Sequence, residues 1–220
     1  MYAGQCNQML GQYEEALAHY KIGISYNTES AEIYFHRGLA YVSLTQFHEG
    51  INDFKKAHDL SKSSGDKDNS KYRILLNLGI NLRRVGDAKQ SIEYLGQAIQ
   101  AQQNKPQAHN NLGLSQYEMQ NWDEAITSYE NAIRLEKSQV GDVTPGSGPP
   151  KEYLSLYYNN KGLALYHRGG EDDAKEAIAD YQKAIDAIGG TNAENFFNRG
   201  NVYLSNSEFE KAHADFDTAI

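Results

Sequence analysis

The chain has 220 residues, 40% of them hydrophobic and 23% charged, with only 4 prolines, a composition typical of a soluble protein dominated by helix formers. Its 29 acidic and 21 basic residues give a net charge of −8, which disfavours nucleic acid and anionic membranes as partners. No apolar run approaches the roughly 18 residues that a membrane-spanning helix needs, so no membrane span is predicted. The lone Cys6 is typical of a reducing compartment, and we expect a cytoplasmic protein.

A repeat divides the chain into six parts, each marked by one glycine. Successive glycines are 34, 41, 34, 49 and 38 residues apart. In five repeats a bulky residue follows the glycine after 16 residues and a small one after 19, and in the fifth repeat both come three residues later. This spacing predicts a pair of antiparallel helices per repeat that approach closely at small residues. The six glycines are Gly4, Gly38, Gly79, Gly113, Gly162 and Gly200.

In chain order, the repeats are predicted to form a single array, because one helix pair cannot bury its apolar faces alone. Two insertions, 65–71 and 140–154, lengthen the period, and their Gly, Pro, Ser and Asp content predicts surface loops. Since loop length costs little stability, a tolerated insertion is favoured over a functional one. The predicted repeats cover residues 1–30, 31–64, 72–105, 106–139, 155–192 and 193–220.

The small and aromatic positions, the 34-residue period and the segment Asn-Trp-Asp-Glu-Ala-Ile at 121–126 resemble tetratricopeptide repeats over essentially the whole chain. The proline that commonly follows the second helix in that family is replaced here, for example by Thr28 and Lys137, so helix ends are less firmly marked. The resemblance implies an all-α fold, a right-handed superhelical solenoid of antiparallel helix pairs. Neither terminal repeat has a polar capping helix, so we expect an excerpt of a longer chain.

Asparagine occupies the position two residues before the glycine in four consecutive repeats. In the family that this chain resembles, the first helix of each repeat lines a concave groove, and this position points into it. An asparagine amide offers an acceptor and two donors, so a row of them can bind the backbone of an extended peptide. Such a row resembles the asparagine ladders of the O-linked N-acetylglucosamine transferase repeats and of armadillo proteins. The row comprises Asn77, Asn111, Asn160 and Asn198, and His36 takes the same position in the second repeat.

Three structural roles compete with a peptide site at these positions. An asparagine can instead cap or bond a neighbouring turn, and apolar residues at helical spacing are usually packed between helices. The cations at the end of the third repeat's first helix can also serve the helix dipole. With these alternatives open, the residues predicted to complete the groove are Asn110, Asn159, Asn201, Arg73, Arg83 and Arg84.

Catalytic chemistry is not indicated. The Gly-Ser-Gly stretch at 146–148 is followed by two prolines rather than Gly-Lys-Ser/Thr, so no phosphate-binding loop is predicted. The 7 histidines are spread over different repeats and form no metal-binding motif. We expect no enzyme activity, metal or cofactor in this segment. The lysine and arginine pattern of repeats that clamp the C-terminal carboxylates of chaperones is also missing, which disfavours that ligand.

The sequence therefore predicts a protein–protein interaction scaffold that binds an extended peptide in its groove. Two alternatives remain open. The segment could be the substrate-recognition arm of an enzyme, such as a glycosyltransferase, whose catalytic domain lies outside it. It could instead be a structural subunit that stacks through its ends in a large, possibly ciliary, assembly.

Overall fold

The computed structural model describes residues 1–27, 29–63, 68–141, 151–190 and 192–220. These residues form twelve α-helices and no strand, which confirms the predicted all-α fold. The chain divides into two compact units, unit 1 (Met1–Gln103) and unit 2 (Asn104–Ile220). The helices of unit 1 are α1 (Tyr2–Met9), α2 (Tyr13–Tyr26), α3 (Ala31–Ser43), α4 (Phe47–Ser63), α5 (Asp68–Arg84) and α6 (Ala88–Ala101). Those of unit 2 are α7 (Pro106–Glu118), α8 (Trp122–Val140), α9 (Glu152–Arg168), α10 (Asp173–Ala187), α11 (Ala193–Ser205) and α12 (Phe209–Thr218).

Both predicted loops are partly helical. Helix α5 begins at Asp68, inside the predicted loop 65–71, and residues 64–67 lie outside the described part of the chain. Helix α8 runs to Val140 and α9 begins at Glu152, while 142–150 also lie outside the described residues. Composition misplaced the start of α5 because Asp and Ser, which are common in loops, are also favoured at the start of a helix.

Each aligned glycine lies against a bulky side chain of the second helix in its pair. A Cβ added to Gly113 would be 2.6 Å from Tyr129 Cε1, and one added to Gly38 would be 2.7 Å from Phe54 Cε1. Both rings are buried. The glycine therefore makes room for the ring that lies 16 residues later in the sequence, as the repeat spacing predicts. The ring in turn fixes how the two helices pack.

An ion pair joins the two helices in the second and sixth repeats. Arg37 donates from Nε and Nη2 to the carboxylate oxygens of Asp53 at 2.7 and 2.6 Å. Arg199 does the same to Asp215, at 2.7 and 2.6 Å. Each guanidinium also lies near two aromatic rings on its own helix, 5.3–5.8 Å from the ring centres. These two arginines therefore stabilise the packing of the two helices within a repeat.

The turn inside each helix pair contains a residue with positive φ. Gly86 fills that place in the third repeat, with φ of 85°. Thr45, Gln120 and Ser207 fill it in the second, fourth and sixth repeats, with φ of 58°, 61° and 61°. A side chain with a Cβ is disfavoured in this conformation, so these three turns are held against a local preference.

Candidate functional site

Helices α7, α9 and α11 are the first helices of three consecutive pairs in unit 2, and α9 contacts both of the others. Each carries a half-buried asparagine two residues before its aligned glycine. We call these three residues, Asn111, Asn160 and Asn198, the amide row.

The side-chain NH₂ groups of the amide row are held by hydrogen bonds within unit 2. Asn111 Nδ2 donates to the backbone carbonyl four residues earlier in its helix, at 2.8 Å. Asn160 Nδ2 donates to Asn110 Oδ1 of the preceding repeat at 2.9 Å. Asn198 Nδ2 donates in the same way to Asn159 Oδ1 at 3.0 Å. No described residue donates to the Oδ1 atoms of the row, so each residue presents an amide oxygen as a free acceptor.

A cavity of about 130 Å³ lies between α9 and α11. Its polar lining includes two exposed carboxylates, those of Glu152 and Glu194, and the buried side chain of Asn195. Leu156 and Ile188 supply apolar wall. We call this cavity the acidic pocket.

Asn159 connects the acidic pocket to the amide row. It lines the pocket, accepts a hydrogen bond from Asn198 at Oδ1, and directs Nδ2 toward Glu194 Oε1 at 3.5 Å. The pocket and the row are therefore parts of one surface on the first helices of unit 2.

In unit 1, His36 lies between two depressions. One, of about 200 Å³, is lined by His36, Phe35 and Arg73 among others, and the second, of about 390 Å³, by His36, Leu39 and part of α1. The Arg73 guanidinium lies 4.8 Å from the centre of the Phe35 ring. Burial lowers the pKa of His36, which favours the neutral imidazole at this place.

The remaining predicted residues of unit 1 lie along α5. Asn77 follows Arg73 by one turn and its Nδ2 donates to the Arg73 carbonyl at 2.9 Å. Arg83 and Arg84 lie in the last turn of the helix. The Arg84 guanidinium is 5.6 Å from the centre of the Phe47 ring, so it packs on the preceding repeat.

Two residues predicted to contact a peptide are instead buried. Asn110 is 4% and Asn159 is 5% exposed, because each accepts the hydrogen bond of an amide-row asparagine from the next repeat. We correct their predicted role to holding the row in place. Asn201 is half-buried on α11, one residue after the aligned glycine.

The sequence reasoning missed the acidic pocket. Leu156 and Glu194 each lie six residues before an aligned glycine, about one helical turn before the amide row, so the same period would have found them. Glu152 and Asn195 carry no such signal, because their place in the pocket depends on where α9 and α11 begin.

Within the described ranges, no group of three or more His, Cys, Asp or Glu side chains could hold a metal ion. Among the same residues, no helix combines the length and the apolar character that crossing a membrane requires.

Three family models match parts of the chain. Residues 29–104 and 106–139 each match a model described as tetratricopeptide repeat, and residues 9–44 match one described as TPR repeat. Among curated proteins, BBSome complex member BBS4 of Bos taurus is 23% identical over 181 residues, which are 82% of this chain and 30% of that protein. The chain thus spans less than a third of the length of this relative.

Solved structures share the fold at low identity. YrrB, described as a TPR protein with an unusual peptide-binding site, superimposes with a TM-score of 0.65 at 18% identity over 93% of this chain and 88% of YrrB. BtubC (BKLC) from P. vanneervenii superimposes with a TM-score of 0.75 at 15% identity, over 97% of this chain and 89% of BtubC.

Proposed function

Since the chain is a tetratricopeptide repeat protein, a fold that provides scaffolds for protein–protein contacts, we propose that unit 2 binds an extended peptide along the amide row. One observation carries the proposal. In three consecutive repeats the NH₂ group of the asparagine is held by the protein while its Oδ1 has no donor among the described residues. An extended peptide presents backbone N–H groups that can donate to these oxygens whatever its side chains are.

The first helices of unit 1 offer a second surface of the same kind. His36 and Asn77 take the position of the amide row in the second and third repeats, and Arg73 supplies a cation beside the half-buried His36. The Arg73 guanidinium lies over the Phe35 ring and makes no ion pair within the described residues, so it can meet an acidic side chain of a partner.

A display selection tests the proposal. A library of random linear peptides is selected on the wild-type protein. The affinities of the selected peptides are then measured for wild type, for Asn111→Ala and for the triple alanine variant of the amide row. Each lost hydrogen bond is worth roughly 0.5–1.5 kcal/mol, so the triple variant should bind at least about tenfold more weakly. The matched control is Asn131→Ala, whose Nδ2 also bonds the carbonyl four residues earlier, at 3.1 Å, but on the second helix α8.

Weaker binding by a variant can come from lost peptide contacts or from lost stability, and the two causes are separated by measuring stability. Asn160 and Asn198 also join neighbouring repeats, so unfolding curves are recorded for every variant. Among the described residues the Asn111 side chain bonds only its own helix, so Asn111→Ala should weaken binding while leaving the unfolding midpoint near that of wild type. N-methylation of the peptide backbone removes the donors without changing the protein. Peptides that tolerate both the triple variant and N-methylation would show that the row is not the site.

A role as a subunit of a multiprotein complex is a second candidate, because the curated relative is named as a member of such a complex. In that case the protein should elute with partner proteins from a cell extract, and the amide-row variant should elute as wild type does. Light scattering at several concentrations separates this from self-association, in which mass rises with concentration.

A further inference from the structure

The acidic pocket contains more hydrogen-bond acceptors than the protein itself can satisfy. Glu152 makes no hydrogen bond or ion pair within the described residues, and Glu194 receives only the long contact from Asn159 at its side chain. Asn195 is 1% exposed, its Nδ2 donates to Ser155 Oγ at 3.1 Å, and no described residue donates to its Oδ1. No described residue donates to these side-chain oxygens apart from the long contact at Glu194, so the pocket favours a ligand that donates hydrogen bonds.

Two of the side-chain donors in the wall, those of Ser155 and Asn159, are already used. Ser155 Oγ donates to the Ala184 carbonyl at 2.8 Å. Asn159 Nδ2 is directed to Glu194, as described above. The ligand therefore meets two carboxylates, the amide oxygen of Asn195 and the side chain of Asn192, an environment that suits a cation.

The lysine and arginine residues of α9 and α11 do not neutralise the pocket, because each is bound elsewhere. Lys161 Nζ lies 3.2 Å from Asp180 Oδ2 and 3.1 Å from Glu130 Oε1. Arg168 and Arg199 pair with aspartates at 2.6 Å. Lys151 precedes α9, and its Nζ lies beside Gly141 at the end of α8.

The charge of the chain is also uneven. Residues 104–220 contain 18 acidic and 10 basic residues, whereas residues 1–103 contain 11 of each, so the whole net charge of −8 belongs to unit 2. A positively charged partner is therefore attracted to unit 2 before it makes any specific contact.

We infer that the acidic pocket takes the ammonium or guanidinium group of one lysine or arginine side chain of the bound peptide. Glu152, Glu194 and Asn195 Oδ1 accept its hydrogen bonds, and Leu156 and Ile188 contact its aliphatic stem. The volume of about 130 Å³ suits one side chain rather than a helix or a folded domain. This inference rests on the proposed peptide site, because the Asn198–Asn159–Glu194 contacts place the pocket beside the amide row.

The same display selection is run in parallel on wild type and on the double variant Glu152→Gln/Glu194→Gln. Wild type should enrich lysine or arginine at one fixed position, and the double variant should lose that enrichment. Replacing the enriched lysine by norleucine, which keeps the stem and removes the charge, should weaken binding by about tenfold or more. This loss should shrink at high salt.

The matched control is Glu176→Gln/Glu210→Gln, which removes two acids from the first turns of the second helices α10 and α12. Glu152 and Glu194 also lie in first turns, so both pairs weaken the helix dipole interaction alike, but only the pocket pair should change peptide selection. If both pairs changed peptide selection equally, the pocket acids would act only through helix stability, and the inference would be overturned.

The outcomes distinguish the inference from the proposed function. Peptides that need the amide row but show no preference for a basic residue would refute the pocket and leave the row in place. If no selected peptide depends on the row, a titration with Nα-acetyl-lysine-N-methylamide, followed by the side-chain NMR signals of Asn159 and Asn195, decides on the pocket alone. Saturable shifts that are absent with the norleucine analogue support the pocket, and their absence refutes it.

Discussion

Replacing Gly113 by alanine adds one methyl group where Tyr129 leaves no room for it. The added Cβ would be 2.6 Å from Cε1 and 2.8 Å from Cδ1, whereas carbon atoms in contact are about 3.5–4 Å apart, so the ring must move by about 1 Å. Tyr129 is 1% exposed and packs in a cluster with Leu165 and Tyr181, so this movement displaces other core side chains. Overpacking of this kind costs about 1–3 kcal/mol.

Gly96 provides the comparison, because it lies inside α6 and a Cβ added there would meet nothing within 4 Å. Alanine at that site gains helix propensity alone, about 1 kcal/mol. Urea unfolding followed by circular dichroism should therefore place Gly113→Ala about 1–3 kcal/mol below Gly96→Ala. On a Tyr129→Ala background the penalty at Gly113 should disappear. If Gly113→Ala were as stable as Gly96→Ala, the aligned glycines would not mark close contacts between helices.

Two further predictions concern stability. Thr45→Gly should raise the free energy of unfolding by about 1 kcal/mol, because Thr45 has φ of 58°, and Gly86→Thr in the equivalent turn should lower it. Urea unfolding measures both variants, and a destabilised Thr45→Gly would contradict the turn geometry. Burial raises the pKa of Glu136, which is 6% exposed, so the folded protein is destabilised as pH rises from below the ordinary carboxyl pKa to neutrality. Glu136→Gln should therefore raise the melting temperature at pH 7, and this gain should disappear in acid. The control is Glu93→Gln at an exposed position, which should change the melting temperature little at either pH. Equal changes in melting temperature for the two variants would contradict the role of burial.

Much of the fold follows from the sequence because the pattern repeats. One glycine is weak evidence for a helix contact, but six glycines, five of them at the same spacing from a bulky residue, predict which side chain covers which glycine, and Tyr129 on Gly113 is an example. The predicted loop boundaries were wrong where the pattern has no repeat to compare. Nothing in the period indicates that α5 begins at Asp68 or that α9 begins at Glu152.

The candidate site was only partly predictable, for a physical reason. The period gives the helix and the face on which an asparagine lies, but not whether its neighbour is buried. Asn110 and Asn111 are adjacent and have the same side chain, yet Asn110 is buried between repeats and Asn111 is half-buried on the row. The acidic pocket depends on the distance between α9 and α11 and on side chains from two different repeats, which a spacing along one sequence does not contain.

The proposed peptide binding by the amide row and the packing of the repeats use different atoms of the same side chain, so the two roles are compatible. An asparagine that was free in solution would lose rotamer freedom when a peptide bound, and that loss would weaken binding. In Asn160 and Asn198 the Nδ2 bond to the preceding repeat has already fixed the amide plane, and Oδ1 remains available. The entropy is lost on folding rather than on binding. Replacing Asn110 by alanine removes the acceptor that holds Asn160 without touching the proposed contact atoms, and it should therefore weaken peptide binding through loss of this order.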